Sequence, residues 1–458
     1  MNVTLSELEN KLEQLNLSIP EQYKNEDLNN ATIYKIAAEL GIDPKQILDD
    51  SRPIDLSKYE AKNEFLDVEN SNIIPKRNYK AVEVFAGAGG LLLGLHKSGI
   101  NSVAAIEIDK HACNTLNENN EKHNLDISVI NEDIEVVVKE GIRKYIPAET
   151  EIDILSGGYP CQAFSFAGKK LGLEDTRGTM FYWYAQLLKQ LNPKMFLAEN
   201  VRGLVSHEKG ATLQGMIDVF ESMGYSVKYK VLKATDYNVA QKRERIFIIG
   251  VRKDLITDEN SIEFQFPKPQ LYKPVLKDVL KNVPDSPGKK YPQRKKEIMD
   301  MVPPGGCWRD LPLEVQKEYM KKSFYLGGGK TGMARRISWD EPCLTLTTAP
   351  DMKQTERCHP DETRPFTVRE YARIQSFPDS WIFTGPITAQ YKQIGNAVPV
   401  ELANYVGKSI VHYLNNLENT SEKPENKKEN QKNDVTMYKI ETIKAVDSVV
   451  EQLAMNFE

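Results

Sequence analysis

Between Tyr79 and Arg252, short apolar runs ("KAVEVF", "SVAAIE", "DILSG", "MFLAEN", "RIFIIGV") alternate with longer segments of helical period. No other feature of the chain narrows its fold so far. A strand, a helix and a second strand of the same sheet form a parallel crossover. Repeated, the unit gives an α/β fold with a doubly wound, mostly parallel sheet over residues 79–252. The rhythm stops at residue 253. Residues 253–335 are rich in Pro, Gly and Lys ("FPKPQLYKPV", "VPDSPGKKYP", "LGGGKTG") and predict a separate, small, irregular domain. Residues 336–415 return to the sheet domain, with a helix starting near Thr367. Residues 1–75 predict a helical extension. Residues 416–458 predict a charged, disordered linker and a terminal helix from about Val435. A chain of 458 residues is long enough for two or three such units.

Within the extension, "ATIYKIAAELGIDPKQIL" has the Ala37–Gly41 spacing of a helix-turn-helix, but its second helix is acidic and phosphate repels it. A structural extension is the better reading. No run approaches eighteen apolar residues, and the N-terminus is unlike a secretory signal, so the expectation is a cytoplasmic protein without a membrane span. The five cysteines, at 113, 161, 307, 343 and 358, form no CxxC pair, which argues against a disulfide framework or a zinc site. Charge is uneven. Residues 1–75 hold 7 Lys/Arg against 15 Asp/Glu, whereas residues 267–340 hold 16 against 8. A basic segment in an acidic chain faces a polyanion or is simply a solvated, Lys-rich surface.

Three constellations bear chemistry. In "AVEVFAGAGGLLLGL", Gly87 and Gly89 let the backbone turn between strand and helix and approach a ligand at the helix N-terminus. The dinucleotide fingerprint needs a third glycine where Leu92 stands. Pyrophosphate is therefore disfavoured, and a nucleoside without phosphates, such as S-adenosylmethionine, suits the turn. Glu107 in "AAIEID" is placed to accept ribose hydroxyls, and Asp133 in "NEDI" an adenine amino group. A purely structural turn is the alternative. In "ILSGGYPCQAFSFAG", Cys161 stands at the carboxyl end of a strand, before a polar loop with Gln162, Ser165 and Gly168. It is either inert packing or a thiolate presented to an electrophile. In "FLAENVRGL", burial at an apolar strand end raises the pKa of Glu199 and suits it to proton donation, unless Asn200 merely caps a helix. "AQKRERIFIIGV" sets Gln241, Arg243 and Arg245 before a strand. The two arginines are expected to part, one to phosphate and one into the site, or else to decorate an edge strand.

Together and in this order, these pieces resemble the DNA (cytosine-5)-methyltransferase family over residues 80–252 and 336–412. The carrying motifs are "FAGAGG", "EID", "NEDI", "GGYPCQAFS", "AENVRGL", "QKRERIFIIG", "RPFTVREYARIQSFPD" and "QIGNAVP". The resemblance implies the S-adenosylmethionine-dependent methyltransferase fold. It implies that Phe85, Gly87, Gly89, Gly90, Glu107, Ile108, Asp133, Ile134, Pro160 and Asn396 border S-adenosylmethionine, with S-adenosylhomocysteine as product. Cys161 becomes the nucleophile and Glu199 its partner at the cytosine ring. Arg245 supports base and nucleophile, and Arg243 the backbone. Some members carry tryptophan where Ile108 stands; isoleucine offers apolar contact but less stacking.

The implied substrate is a flipped-out cytosine of duplex DNA, with residues 253–335 as the target-recognition domain. Gln162, Ser165, Gln241, Arg309, Arg335 and Arg336 are candidate DNA contacts. The implied protein is a monomer of a restriction-modification pair, with a cognate restriction endonuclease as functional partner. Three alternatives stay open: a tRNA cytosine methyltransferase, a nicotinamide- or flavin-dependent oxidoreductase, and a non-catalytic DNA-binding regulator. The long recognition segment favours DNA over tRNA. The missing third glycine counts against the oxidoreductase, and the acidic helix against the regulator.

Overall fold

The computed structural model describes residues 8–9, 12–13, 17–24, 30–42, 54–62, 64–160, 179–256, 263–325 and 331–421. The acidic helix expected over 43–50 and the terminal helix expected from Val435 lie outside these residues.

Seven strands form one sheet: β1 (Tyr79–Val84), β2 (Ile100–Glu107), β3 (Ser128–Asn131), β4 (Ile154–Gly157), β5 (Met195–Val201), β6 (Tyr225–Lys233) and β8 (Glu244–Arg252). Their spatial order is β3-β2-β1-β4-β5-β8-β6. The pairings from β3 through to β5 are parallel, and β8 lies antiparallel between β5 and β6. The connection from β6 to β8 is too short for a crossover, so the chain turns straight back. A second sheet joins β7 (Gln241–Lys242) in parallel to β9 (Cys343–Leu344). Helices Gly90–Lys97, Lys110–His123, Ile134–Glu140, Met180–Leu191 and Ala211–Ser222 lie between the strands of the large sheet. With both faces covered, β4 is buried along its whole length and β5 up to Asn200, which is why they read as apolar runs without alternation. From β1 the chain winds first towards β3 and later towards β6. The crevice of such a sheet opens at the carboxyl ends of β1 and β4, where the order reverses. Phe85 and Gly158 directly follow those two ends.

The edge strand β6 is not left open. Tyr229 N–H donates to the Tyr59 carbonyl at 2.9 Å, and Ala61 N–H donates to the Tyr229 carbonyl at 3.0 Å. Leu56 and Tyr59 then join the core on one face of the sheet, and Ala61, Leu66 and Val68 the core on the other. An uncovered edge would offer unpaired backbone groups to other chains. The end of the N-terminal extension is therefore part of the sheet domain.

The expected boundary at residue 253 also moves. Phe264 and Phe266 pack in the core beneath the sheet, and Leu276 and Leu280 pack with Phe377 and Trp381. A separate small core begins only at Tyr291 and gathers Met299, Leu311, Met320 and Ala334 around Cys358. Thr367 caps helix Val368–Ile374, and Glu370 closes the box back onto its N–H, so that start was readable. The long helix Val400–Ser421 runs past residue 415, where the linker was expected to begin. No helix among the described residues is long and apolar enough to cross a membrane.

Candidate active site

At the end of β1 the chain enters a tight turn. Phe85, Gly87 and Gly89 all have positive φ (55°, 54° and 83°), and Gly89 stands as N-cap of helix Gly90–Lys97. A Cβ on Gly89 would lie 2.9 Å from Leu116 and 3.0 Å from the Trp381 ring, and one on Gly90 only 2.3 Å from the Val398 carbonyl. At Gly87 a Cβ would meet nothing within 4 Å. The turn is thus packed at its base and open at Gly87. Glu107, at the end of β2, holds it: Gly87 N–H donates to Oε2 and Asp109 N–H to Oε1, each at 2.8 Å. A carboxylate has about four acceptor sites, so two remain for hydroxyl donors. Next to it Ile108 is 65 % exposed, an apolar surface without a protein partner to bury it. Asp133 caps helix Ile134–Glu140 through Oδ1, which accepts Glu135 N–H at 2.8 Å. Ile134 is buried in the core. Asn396 is exposed at the end of helix Ile387–Asn396, and Lys392 of that helix pairs with Asp109 at 2.9 Å. An open backbone turn, a carboxylate with spare acceptors and an exposed apolar side chain can together hold a nucleoside.

Sequence reasoning missed two supports of this turn. The buried Trp381 donates Nε1–H to the Ala88 carbonyl at 3.0 Å, locking the turn from below. Glu83, inside β1, accepts Leu92 N–H at 3.1 Å and the Ser156 hydroxyl at 3.3 Å. It thereby satisfies one of the orphan donors at the start of helix Gly90–Lys97. Burial pushes its pKa up to about 8. For Trp381 the signal was a tryptophan two residues beyond the motif "RPFTVREYARIQSFPD", which ends at Asp379; for Glu83 it was an acidic residue in an otherwise apolar strand.

The second half of the site lies on β5 and β8. Val201 pairs with Arg245 across the antiparallel ladder, and Glu199 with Phe247. Residues two apart share a face, so Arg245 is the diagonal neighbour of Glu199. Their side chains meet, with Arg245 Nε at 2.8 Å from Glu199 Oε1, both nearly buried. Burial pushes the Glu199 carboxyl above its ordinary range, and the charges of Arg245 and Arg243 oppose the rise. Gly158 makes room: a Cβ there would lie 2.5 Å from Glu199 Oε2. Asn200 does not cap a helix. Its amide donates to the Tyr159 carbonyl at 3.0 Å, fixing the segment that leads to the exposed Pro160. Cys161, Gln162, Ser165 and Gly168 lie outside the described residues; Pro160 immediately precedes them. Beside Arg245 opens a cleft of about 520 Å³ lined by Val201, Arg202, Lys233, Lys242 and Thr345.

Four expected DNA-facing side chains are placed elsewhere. Gln241 is fully buried, donating to Gln375 Oε1 at 2.8 Å and accepting Leu346 N–H at 2.9 Å. Arg243 is buried too and clasps the carbonyls of Leu346 (3.2 Å) and Gly395 (3.1 Å), not phosphate; burial and the neighbouring Arg245 lower its pKa to about 9. It parts from Arg245 because the ladder breaks between β7 and β8, where Arg243 stands. Arg336 is buried on the carbonyls of Val302, Met299, His359 and Pro360. Arg335 Nη2 donates to both carboxylate oxygens of Glu341 at 2.7 Å, and its Nη1 donates to the Gly305 carbonyl. Of the three candidate arginines Arg309, Arg335 and Arg336, Arg309 is the exposed one.

The family model for C-5 cytosine-specific DNA methylases matches residues 79–412. Type II methyltransferase M.Sau96I of Staphylococcus aureus is 54 % identical over 422 residues, 90 % of this chain and 95 % of that protein. Type II methyltransferase M.Eco47II of Escherichia coli is 56 % identical over 347 residues, 74 % and 80 % of the two chains. The solved structure of a prophage-encoded DNA modification methyltransferase of E. coli is 26 % identical, has a TM-score of 0.53, and aligns 74 % of this chain with 100 % of that one. The strand order, the glycine turn and the Glu199–Arg245 pair thus sit within a match that spans most of the chain, which belongs to the C-5 cytosine-specific DNA methylase family and is a DNA (cytosine-5)-methyltransferase of restriction-modification type.

Proposed function

We propose that the chain methylates C5 of a flipped-out cytosine in a specific duplex sequence, using S-adenosylmethionine and a covalent bond from Cys161 to C6. The Glu199–Arg245 pair carries this reading: a buried carboxyl of raised pKa, oriented by a guanidinium and packed against Gly158, the glycine that precedes Tyr159, Pro160 and Cys161. Cytosine C5 is a poor nucleophile. Addition of the Cys161 thiolate at C6 makes the ring an enamine with electron density at C5. A proton or hydrogen bond from Glu199 at N3 favours that addition, and burial lets the carboxyl keep its proton nearer neutrality. Arg245 fixes the carboxyl's direction. S-adenosylmethionine, when bound, supplies an electrophilic methyl group. Loss of the C5 proton to a base and departure of the Cys161 sulfur, with its bonding pair, then restore the aromatic ring.

The open turn at Gly87, the spare acceptors of Glu107 and the exposed Ile108 suit the adenosyl moiety, with Asp133 and Asn396 at its border. Flipping the base costs a few kcal/mol, and the cleft with Arg202, Lys233 and Lys242 suits the polyanion that must lie beside it. The separately packed unit from Tyr291 onwards reads the target. The relatives' names, Type II methyltransferases, support a role in protecting DNA from a cognate endonuclease.

The test is a duplex with 5-fluorocytosine at the target position. The fluorine cannot leave as a proton, so the native enzyme should form a denaturant-resistant complex and the Cys161→Ser variant none. An active enzyme that forms no such complex rules the covalent route out.

A further inference from the structure

The basic side chains of the small unit are of two kinds. Lys289 pairs with Asp351, Arg294 with Glu297 and Glu318, Lys295 with Glu356, Lys317 with Glu314, and Arg335 with Glu341. Their charges are used within the fold. Arg309, Lys321 and Lys322, like Lys290 and Lys296, are exposed, and among the described residues no carboxylate pairs with them.

Of these, Arg309, Lys321 and Lys322 adjoin one aromatic stack. Trp308 and Phe324 meet edge-on, with centroids 6.2 Å apart at 73°, and Phe324 meets Tyr325 at 5.2 Å and 82°. The Arg309 guanidinium lies 5.5 Å from the centre of the Trp308 ring. Trp308 and Phe324 are anchored on the small core, whereas Tyr325 is 78 % exposed. Lys321 has φ 51° and ψ −133°, a backbone that L residues rarely adopt, and it stops helix Leu313–Met320. Such a conformation persists only where the surroundings impose it, and it often marks a working surface. Here it swings Lys322 to Tyr325 out of the helix path.

We propose that Arg309 and Tyr325, at the two ends of this stack, read base edges of the target duplex, and that Lys321 and Lys322 hold the phosphates that set their register. This rests on the reading that the substrate is duplex DNA. A guanidinium matches guanine O6 and N7, and a tyrosine offers a hydroxyl that donates or accepts and a ring face for the thymine methyl. Aromatic anchoring has already removed part of the side-chain freedom that binding would cost. Two unpaired lysines next to the readers supply the sequence-independent attraction.

The experiment uses a duplex library with a randomised window, methylated by the full-length enzyme and read by bisulfite sequencing. Arg309→Ala and Tyr325→Ala should each relax one position, by about 5- to 150-fold in discrimination, and leave the others unchanged. Tyr325→Phe keeps the ring stack and isolates the hydroxyl, so its effect cannot come from misfolding. Lys321→Ala and Lys322→Ala should weaken binding to all duplexes alike and each lower the salt slope by about 1. Unaltered sequence preference in Arg309→Ala and Tyr325→Ala, at native thermal stability, overturns the assignment alone. If the native enzyme leaves the library unmethylated but methylates tRNA, the proposed function fails and this inference with it.

Discussion

Gly158→Ala is the smallest change that tests the geometry of the proposed chemistry. A Cβ at this position would lie 2.5 Å from Glu199 Oε2, and ordinary contact begins near 3.4 Å. The backbone has little freedom to yield. Gly157 pairs with Val84 on one side and Ala198 on the other, and Glu199 pairs with Phe247 within β5 and β8. Gly158 itself does not have the positive φ that would bar alanine. The carboxylate must therefore move, by about 1 Å, against its 2.8 Å bond to Arg245. A misplacement of that size can lower a rate about 10²-fold. Single-turnover methylation at saturating S-adenosylmethionine and DNA reads it directly, with cofactor affinity and thermal stability measured alongside. The expected result is a rate near one per cent of native with cofactor binding retained. In a Glu199→Gln background the same alanine should cost less than about threefold, because the two changes act on one group. A Gly158→Ala enzyme within about threefold of native, or a full further loss in the Gln background, refutes the argument.

Glu199→Gln should slow methylation by about 10²–10⁴-fold and keep DNA affinity in gel shifts; an effect of a few-fold removes Glu199 from the chemistry. For Glu83, the folded pKa near 8 stands above the ordinary 4.5, so its contribution to stability is complete below about pH 4.5 and is lost as pH rises to about 8. The native protein should therefore lose stability relative to Glu83→Gln across that window in urea titrations, by several kcal/mol at most, and parallel curves would show that Glu83 does not titrate there. Arg336→Met should lower stability by at least about 2 kcal/mol through its unpaired carbonyls without relaxing sequence preference. The opposite pattern would return Arg336 to the DNA surface.

The sheet was legible because its signal is local. Five apolar runs with turn residues after them need no tertiary knowledge, and the capping box of Thr367 and Glu370 announces its own helix. Glu107 and Glu199 were legible for the same reason, as carboxylates at the ends of such runs. What Glu199 touches was not. Its partner depends on the register of β5 against β8, which sets Val201 opposite Arg245 and could be known only once the antiparallel turn-back was seen. Trp381 lay just beyond a motif and was passed over, since only the fold brings it under Ala88, some three hundred positions earlier. The boundary at 253 failed because loss of strand rhythm marks where regular structure ends. It does not mark where a core ends, and Phe264, Phe266 and Leu276 still pack with the sheet.

Arg336 and Arg243 are misplaced for one physical cause. Irregular segments have few ladders, so their buried carbonyls lack the N–H partners that helices and sheets provide. An arginine carries five donors in a fixed fork and no acceptor, and it can serve several such carbonyls at once. Arg336 does this for four, gathered from residues 299–302 and 359–360, and Arg243 does it where Leu346 and Gly395 converge. Positive charge in an irregular domain is therefore partly the means by which that domain holds its shape. Charge count alone overstates the DNA-facing surface. The cations left for phosphate or bases are those without a carbonyl or a carboxylate to satisfy, and in the small unit that criterion separates Arg309, Lys321 and Lys322 from Arg335 and Arg336.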